Sequence, residues 1–222
     1  DYDKPHYTNC DYPFPCNPPE IPDKVPCGLY KRTFVLPEKK EKDFILTFEG
    51  VSSSFYVWIN GEFAGFSTVS HCTTEIDITN LVRSGENEIC VLVLKWAVSS
   101  YLEDQDCFRY SGIFRSVYIL SRDKKRISDV FIRQNIAADF SSAVLNVETE
   151  RNSSFPVAYK LISPDGKTVS EGVTDGDPVI SVEAPVLWSD ENPSLYSLIL
   201  NSLTLAIAPV KYSIPKIIAA ID

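Results

Sequence analysis

The sequence predicts an all-β protein built from two sandwiches. From Gly28 onward, short runs rich in β-branched and aromatic residues alternate apolar and polar positions, which is the period of a half-buried strand. Turn-forming residues separate these runs, and patterns of helical period are nearly missing. A charged stretch, SRDKKR at 121–126, interrupts the series. We therefore expect two domains, at residues 1–123 and 124–222.

The first domain opens with a proline-rich segment. Seven of the 15 prolines lie within the first 27 residues, and proline fixes φ and removes a backbone donor. We expect residues 11–27 to be extended and irregular and to pack over other elements. The aromatic side chains that would anchor the beginning of the chain are Tyr2, Tyr7, Tyr12 and Phe14.

Seven strands are predicted after this segment, in the runs LYKRTFVL, DFILTFE, SFYVWIN, EFAGFS, TEIDIT, EICVLVLKW and IFRSVYIL. Asn60-Gly61 predicts a two-residue hairpin, because a type I′ turn needs positive φ at both positions. EICVLVLKW is apolar on both faces, which is typical of a central strand covered on both sides. Within it, Cys90 is predicted to be a buried thiol.

The second domain has the rhythm of an immunoglobulin-like sandwich, with about seven short strands in about 80 residues. Six of these runs are ISDVFIRQ, AVLNVETE, PVAYKLIS, KTVSEGV, VISVEA and SLYSLIL, and Pro164-Asp165-Gly166 predicts a turn between two of them. No cysteine follows Cys107, so the intersheet disulfide of antibody domains is not expected.

Charge and cysteine content narrow the classes of partner. With 30 acidic and 21 basic side chains the net charge is −9, which argues against nucleic-acid binding. No apolar run approaches the ~20 residues of a membrane span, so no membrane partner is expected. The six cysteines match no zinc spacing. We expect free thiols, a reducing compartment and a cytoplasmic location.

An acidic loop is the most informative polar segment. Glu103, Asp104 and Asp106 place three carboxylates within four residues. Like charges this close persist when they are solvated, paired with Arg109 or Arg115, or bound to hydroxyls or a cation. The loop is therefore either a solvated acidic bend or a site for sugar hydroxyls or for Na⁺, Mg²⁺ or Ca²⁺. A self-contained glycosidase pair is disfavoured, because both groups would project from one short loop.

Other chemistry-bearing residues have structural explanations. His6 and His71 lie in loops without a nucleophile motif and are predicted to be surface histidines. Trp58 and Trp96 are predicted to be packing residues of core strands. For the loop aromatics two alternatives stay open, stacking on a sugar ring or docking onto the protein; these residues are Tyr7, Tyr12, Tyr101 and Phe108.

Several long motifs in fixed order resemble one family. They are YTNCDYPFPCNPP at 7–19, FEGV at 48–51, FYVWINGE at 55–62, EIDIT at 75–79, GEN at 85–87, SYLEDQDCFRYSGIFR at 100–115 and LWSDENPSLY at 187–196. The chain resembles the N-terminal sugar-binding jelly roll and the following immunoglobulin-like domain of family 2 glycoside hydrolases, of the large bacterial β-galactosidase type. The resemblance covers about residues 5–200.

This resemblance implies specific roles for two side chains. Asn9, in the Y-T-N motif, would contact galactose in the active site of a barrel domain. Asp106 would contact sugar hydroxyls and share Na⁺ with barrel residues; the intact enzymes also use Mg²⁺. The two catalytic glutamates of the family lie in that barrel. The implied function is therefore a non-catalytic contribution to hydrolysis of terminal β-galactosides in carbohydrate metabolism, with no hydrolysis by these 222 residues alone.

Departures from the family pattern define the remaining expectations. Jelly-roll strands that precede Y-T-N in the family are missing, and the residues after Leu200 do not read as a lead into a barrel. His71 and Thr73 replace Arg and Pro, and Phe108 replaces a Trp while keeping an aromatic plug. Exposed strand edges predict pairing with a second copy, or coverage by residues 11–27. The alternatives for function are a free-standing carbohydrate-binding module and a scaffold for assembly.

Overall fold

A computed structural model describes residues 5–8, 12–15, 17–37, 41–103, 106–202 and 210–214. The chain divides into two compact units, Asp1–Lys124 and Lys125–Asp222. Asn9, Asp104 and Tyr2, which the sequence analysis singled out, lie outside the described residues. No helix in the described part of the chain is long and apolar enough to cross a membrane.

In its described residues the first unit is all β apart from one 3₁₀ turn, Val98–Tyr101. Its strands are β1 (His6–Thr8), β2 (Cys27–Leu36), β3 (Lys42–Phe48), β4 (Val51–Ser52), β5 (Ser54–Ile59), β6 (Glu62–Ser67), β7 (Thr74–Asp77), β8 (Gly85–Leu94), β9 (Cys107–Arg109), β10 (Gly112–Ile113) and β11 (Val117–Asp123). A four-stranded antiparallel sheet, β2-β8-β5-β6, faces a three-stranded one, β11-β3-β7. The short pairs β1-β9 and β4-β10 complete the unit.

The core of the first unit lies between these two sheets. Phe44, Leu46 and Phe48 from β3 meet Phe55, Val57 and Ile59 from β5 and Val91 and Val93 from β8. The Asn60-Gly61 hairpin is confirmed, with φ of 52° and 85° at the two positions. It fixes the register of β5 against β6, so that Ile59 stands opposite Glu62.

The prediction that EICVLVLKW forms a central strand covered on both sides is confirmed in part. Strand β8 is central, between β2 and β5, and its Val91 and Val93 are buried. Its other face is only half-buried, and Cys90 is a free, half-buried thiol rather than a buried one. Strand β3 is buried on both faces from Phe44 to Phe48. Cys27 and Cys72 are free as well, as predicted for these thiols.

The proline-rich segment packs where its aromatic residues find partners. Phe14 is buried against Trp96 and Tyr101, at ring-centroid distances of 5.4 Å each. In the described chain β2 has β8 as its neighbour on one side and an open edge on the other. An apolar cavity of about 560 Å³ lies between β2 and β11, lined by Phe34, Leu46 and Ile119 among others. Packing of the segment is confirmed, since Phe14 packs on Trp96 and on Tyr101 of the 3₁₀ turn. Its described residues do not pair with the open edge of β2, so coverage of that edge stays a prediction.

The second unit is a sandwich of seven strands in its described part. They are β12 (Ile127–Ile136), β13 (Ser142–Arg151), β14 (Val157–Ile162), β15 (Thr168–Thr174), β16 (Val179–Glu183), β17 (Tyr196–Ser202) and β18 (Val210–Ile214). Sheet β12-β13-β16 faces sheet β15-β14-β17-β18, with all pairs antiparallel. The core contains Leu145, Val157, Leu161, Ile180 and Leu198. This is the immunoglobulin-like arrangement that the strand rhythm predicted.

Candidate functional site

The beginning of the chain and the acidic loop lie side by side. Strand β1 pairs with β9 in antiparallel register, which sets His6 against Arg109, Tyr7 against Phe108 and Thr8 against Cys107. These partners are about a hundred residues apart in sequence, so the ladder is a tertiary contact. In the sequence Asn9 follows Thr8, and Asp106 precedes Cys107. The structure therefore brings Tyr7 and Thr8 of the Y-T-N motif to the end of the acidic loop, and Asn9 lies outside the described residues.

We call the contact between β1 and β9 the β1-β9 junction. Asp106 is an exposed carboxylate at this junction. It directly precedes β9, and its Oδ1 accepts a hydrogen bond from the Tyr7 hydroxyl. A carboxylate has about four lone-pair directions, so one hydroxyl donor leaves it with capacity for further donors or a cation. The bond from Tyr7 orients the group without burying it.

Glu103 has a different, structural environment. Its two oxygens accept from the Ser70 backbone N–H at 2.7 Å and from the Ser70 hydroxyl at 2.6 Å. These two bonds tie the acidic loop to the loop that precedes β7. The run of acidic residues thus separates into a structural carboxylate, Glu103, and a solvent-facing one, Asp106. Sequence reasoning did not find Ser70, because nothing in its local pattern indicates a partner 33 residues away.

Arg109 stabilises the β1-β9 junction through hydrogen bonds of its buried side chain. Its Nε donates to the Thr8 hydroxyl at 2.8 Å and its Nη1 donates to the Ser100 carbonyl at 3.2 Å. The residue is only 9 % exposed, and its guanidinium lies 6.0 Å from the centroid of the Tyr12 ring. Burial lowers the pKa of Arg109 from its ordinary value, and the nearby Tyr12 and Glu103 oppose that shift. One buried cation thus bonds strand β1 and the 3₁₀ turn, close to the proline-rich segment.

The loop aromatics divide into two groups. Tyr12 and Tyr101 are docking residues: their rings are 5.1 Å apart, and the Tyr12 hydroxyl donates to the Tyr101 carbonyl at 3.1 Å. Tyr7 and Phe108 form an exposed pair, 57 % and 54 % accessible, with ring centroids 5.6 Å apart. The expectation that Phe108 is a plug is wrong, because its ring stands on the surface beside Asp106.

The predicted histidines and tryptophans are placed as follows. His6 is exposed with its ring 6.4 Å from that of Trp96, and His71 is exposed with its ring 5.4 Å from that of Phe114. Trp96 is half-buried in the docking contact of Phe14. Trp58 is half-buried too, but it faces outward from β5, because its neighbours Val57 and Ile59 point into the core.

A small polar hollow lies beneath the junction. Ser53, Lys95, Ser100 and Arg109 line it, together with Trp96 and Phe108. The hydroxyls of Ser53 and Ser100 are 3.0 Å apart, and the Lys95 ammonium lies 5.2 Å from the Trp96 ring centroid. The hollow has room for about one water molecule, so it cannot hold a sugar. The surface beside the hollow is open and carries Tyr7, Asp106 and Phe108.

No group of three or more metal-ligating side chains occurs in the described part of the chain. Asp106 supplies one exposed carboxylate, and a hard cation takes several oxygen ligands. The described residues could thus provide one ligand of an alkali-metal site and would need the others from elsewhere.

Comparison with known proteins now assigns the family. Residues 1–123 match the sugar binding domain of glycosyl hydrolases family 2, and residues 125–204 match a second domain of glycosyl hydrolases family 2. The chain belongs to glycosyl hydrolase family 2. The resemblance carried by the sequence motifs is confirmed, and so is the all-β fold of a sugar-binding and an immunoglobulin-like domain.

The similar curated relatives of this family 2 chain carry the name beta-galactosidase. The protein of Staphylococcus xylosus is 47% identical over 199 residues, which are 89% of this chain and 20% of the relative. The protein of Actinobacillus pleuropneumoniae is 45% identical over 202 residues, 90% of this chain and 20% of the relative. The chain therefore spans about a fifth of the length of these relatives.

Solved structures show the same fold at low sequence identity. An FMN-binding beta-glucuronidase from Facaelibacterium prausnitzii L2-6 aligns with a TM-score of 0.73 and 22% identity, over 86% of this chain and 32% of its own. A beta-D-glucuronidase of Dictyoglomus thermophilum aligns with a TM-score of 0.69 and 22% identity, over 87% of this chain and 37% of its own. These likenesses concern the fold of the family 2 chain.

Proposed function

We propose that this chain is the sugar-binding part of a β-galactosidase-like hydrolase and contributes side chains to the binding of terminal β-galactosides. The observation that supports it is the β1-β9 ladder, which sets Asp106 beside the arm that carries Asn9. The β-galactosidase names of the relatives supply the substrate class.

Asp106 would act by accepting hydrogen bonds from sugar hydroxyls. Its carboxylate is exposed, and the Tyr7 hydroxyl holds one of its oxygens in place, so little conformational freedom is lost when a sugar binds. The exposed rings of Tyr7 and Phe108 would pack against the sugar, because a pyranose ring presents apolar C–H groups on its faces. Asn9 would add an amide donor and acceptor from the same arm.

A sodium ion would suit the same carboxylate. Asp106 offers a hard oxygen ligand on the surface, and the remaining oxygens would come from residues beyond those described. The ion would lower the negative charge of the site and bridge to a sugar oxygen. Among the described residues, no group of ligating side chains suits the Mg²⁺ that the family resemblance implies.

The chemical step would belong to residues outside this chain. Retaining hydrolysis needs a carboxylic acid and a carboxylate on opposite sides of the glycosidic bond, about 5–5.5 Å apart. Glu103 is held by Ser70 and is not free for such a role. We therefore expect the purified 222-residue chain to hydrolyse a chromogenic galactoside no faster than a buffer blank.

A chimera tests the proposal most sharply. The 199 matching residues of the Staphylococcus xylosus protein would be replaced by those of this chain, and galactoside hydrolysis would be measured. We expect an active chimera in which Asp106→Asn lowers kcat/KM by roughly 10- to 100-fold, as expected for loss of hydrogen bonds to a charged group. The matched control is Asp139→Asn, an exposed aspartate of the second unit, which should leave kcat/KM unchanged. An active chimera that is indifferent to Asp106→Asn would refute the proposal.

Calorimetry with galactose separates this proposal from a free-standing carbohydrate-binding module. A site shared with residues elsewhere predicts no measurable heat from the chain alone at millimolar sugar. Binding in the millimolar range or tighter would favour the module. Sedimentation of the same sample tests the scaffold alternative, which requires a homo-oligomer and fails if the chain is a strict monomer.

A further inference from the structure

An apolar groove opens between the ends of the two sheets of the first unit. In the described chain β2 is the last strand of the sheet β2-β8-β5-β6, and β11 is the last strand of the sheet β11-β3-β7. The cavity of about 560 Å³ lies between these two strands, and the core residues Leu46, Phe48 and Val91 belong to its lining. We call this cavity the edge groove. It exposes the apolar interior of the sandwich along one side.

The edge of β2 that borders the groove carries unpaired main-chain groups. The Pro26 carbonyl accepts a hydrogen bond from the Lys95 N–H at 2.9 Å, and the register of β2 against β8 continues without a shift to Leu36. Hydrogen-bonded and non-hydrogen-bonded pairs alternate along an antiparallel ladder, so every second residue of β2 turns its N–H and C=O away from β8. In the described chain no strand meets these groups, and such an edge is a template for one more strand. The residues concerned are Leu29, Lys31, Thr33 and Val35.

The residues between these direct their side chains into the groove. Tyr30 stands opposite the core residue Val91, and Arg32 and Phe34 follow on the same side by strand alternation. Tyr30 is 43 % exposed, and Val117, on the β11 side of the groove, is 38 % exposed. An added strand presents side chains to one side at every second position, so a single strand can fill the groove while its main chain pairs with β2.

The charges of the groove favour an acidic residue in the added strand. Lys31 and Arg32 belong to its described lining, and no carboxylate does. Lys31 lies on the opposite face of β2 and is bound to Glu88 at 2.9 Å. Arg32 faces the groove, and no carboxylate in the described part of the chain pairs with it. A carboxylate on the groove side of the added strand would therefore gain an ion pair with Arg32.

Two other occupants of the edge fit less well. Pairing of β2 with β2 of a second copy would place the lysine and arginine of both copies on one short ladder, and β2 contains no acidic residue to compensate them. The proline-rich segment packs elsewhere in its described residues, with Phe14 against Trp96. These observations favour a strand that comes from outside the 222 residues.

We propose that the edge groove binds an extended polypeptide segment from outside these 222 residues, which adds to β2 as an antiparallel strand. Apolar side chains at alternate positions fill the groove, and an acidic side chain among them pairs with Arg32. Antiparallel addition continues the pattern of the sheet, in which all described pairs are antiparallel. The proposal does not depend on the sugar site, since the edge groove and the β1-β9 junction share no residue.

Two ten-residue peptides, as long as β2, test the charge preference. Both alternate valine with threonine, and a central valine is replaced by glutamate in the first and by lysine in the second. Binding to the 222-residue chain is measured by nuclear magnetic resonance titration. We expect the glutamate peptide to bind at least about threefold more tightly, because a solvent-exposed ion pair with Arg32 replaces a like-charge contact. Equal binding of the two peptides, or binding of neither, overturns the proposal.

Amide hydrogen exchange tests whether the bound peptide is a strand. In the free chain the amides of Leu29, Lys31 and Thr33 should exchange faster than those of Tyr30 and Arg32, which bond to β8. The glutamate peptide should slow the fast amides and leave the slow ones unchanged. Binding without this protection overturns the proposal. Protection in the free monomer, or protection that appears only as the protein dimerises, would assign the edge to another part of this chain or to a second copy and overturns it as well.

Matched changes in the protein and the peptide test the location. Arg32→Glu should reverse the preference, so that the lysine peptide binds more tightly, and a reversal also shows that the variant is folded. Arg133→Glu, at an exposed arginine of the second unit, should leave the preference unchanged. Methylation of the threonine nitrogens of the glutamate peptide should abolish binding, because these N–H groups point to β2 in an antiparallel strand, whereas methylation of the valine nitrogens should not. An unchanged preference in Arg32→Glu, or equal binding of the two methylated peptides, overturns the proposal.

Discussion

The two units have similar apolar cores but bury polar side chains to different extents. All nine buried polar or charged residues of the described chain belong to the first unit, namely Thr47, Ser52, Ser53, Ser54, Ser70, Asn87, Lys95, Ser100 and Arg109. A buried polar group costs free energy unless it is hydrogen-bonded, and among these nine the Thr47 hydroxyl has no hydrogen-bond partner in the described chain. In the first unit Ser70, Ser100 and Arg109 use this burial to bond loops and strand β1 to one another.

Core truncation should affect both units alike and gives the largest effect. Leu46→Ala in the first unit and Leu198→Ala in the second remove fully buried side chains. Each should lower the free energy of unfolding by about 3 kcal/mol, from lost apolar burial plus the cavity left behind. Urea denaturation followed by fluorescence and circular dichroism measures it. Leu195→Ala, at an exposed leucine, is the control and should cost far less; a cost similar to that of Leu198→Ala would contradict the core assignment.

The comparison becomes sharper with one arginine from each unit. Arg109 is buried and bonds Thr8 and Ser100, whereas Arg133 is exposed and pairs with Glu148 at 2.7 Å. Arg109→Met should cost about 2 kcal/mol, because it leaves buried partners unpaired. Arg133→Met should cost less than about 0.5 kcal/mol, because an exposed ion pair contributes little.

Hydrogen exchange adds a readout that distinguishes positioning from general stability. In Arg109→Met the amide of Tyr7 or Phe108 should exchange faster relative to core amides of β3, since strand β1 loses a bond to its partner. If all amides of the first unit accelerate equally, Arg109 contributes to global stability and does not specifically hold β1.

The parts of the fold that sequence predicts are those with a local cause. Positive φ at Asn60 and Gly61 follows from the turn type, and the alternation of β13 follows from one buried face. The bonds of the junction have no local cause: Arg109 and Thr8 are 101 residues apart, and Glu103 and Ser70 are 33 apart. The proximity of the Y-T-N segment to the acidic loop was predicted only from the motifs that resemble a known family. The residue pattern alone did not predict it.

Periodicity also could not tell how much of each sheet is covered. An apolar run such as that of β8 indicates two apolar faces, but whether the second face meets a partner depends on other elements. Cys90 is half-buried for this reason. Periodicity also did not predict that Phe63 and Phe66 both face outward, because the bulge in β6 breaks the strict alternation on which such a prediction rests.

Acid should distinguish the units by a smaller effect. The three aspartates of the described chain with a lowered pKa all belong to the second unit: Asp139, Asp165 and Asp177. For Asp165, hydrogen bonds from Lys167 and then Ser163 lower the pKa from 3.8 to about 2. Because the folded value lies below the unfolded one, the stabilisation is present above about pH 4 and is lost as the pH falls toward 2.

Asp165→Asn should therefore reduce the stability of the second unit slightly at neutral pH and not at all near pH 2. The effect is small because the aspartate is exposed and its contacts are screened by water. Urea denaturation at several pH values would show the curves of the variant and the parent chain converging between about pH 4 and pH 2. A difference in the free energy of unfolding that stays constant over that range would contradict the role of the charge. It would mean that the substitution disturbs the turn at 164–166, where the Ser163 hydroxyl donates to Asp165.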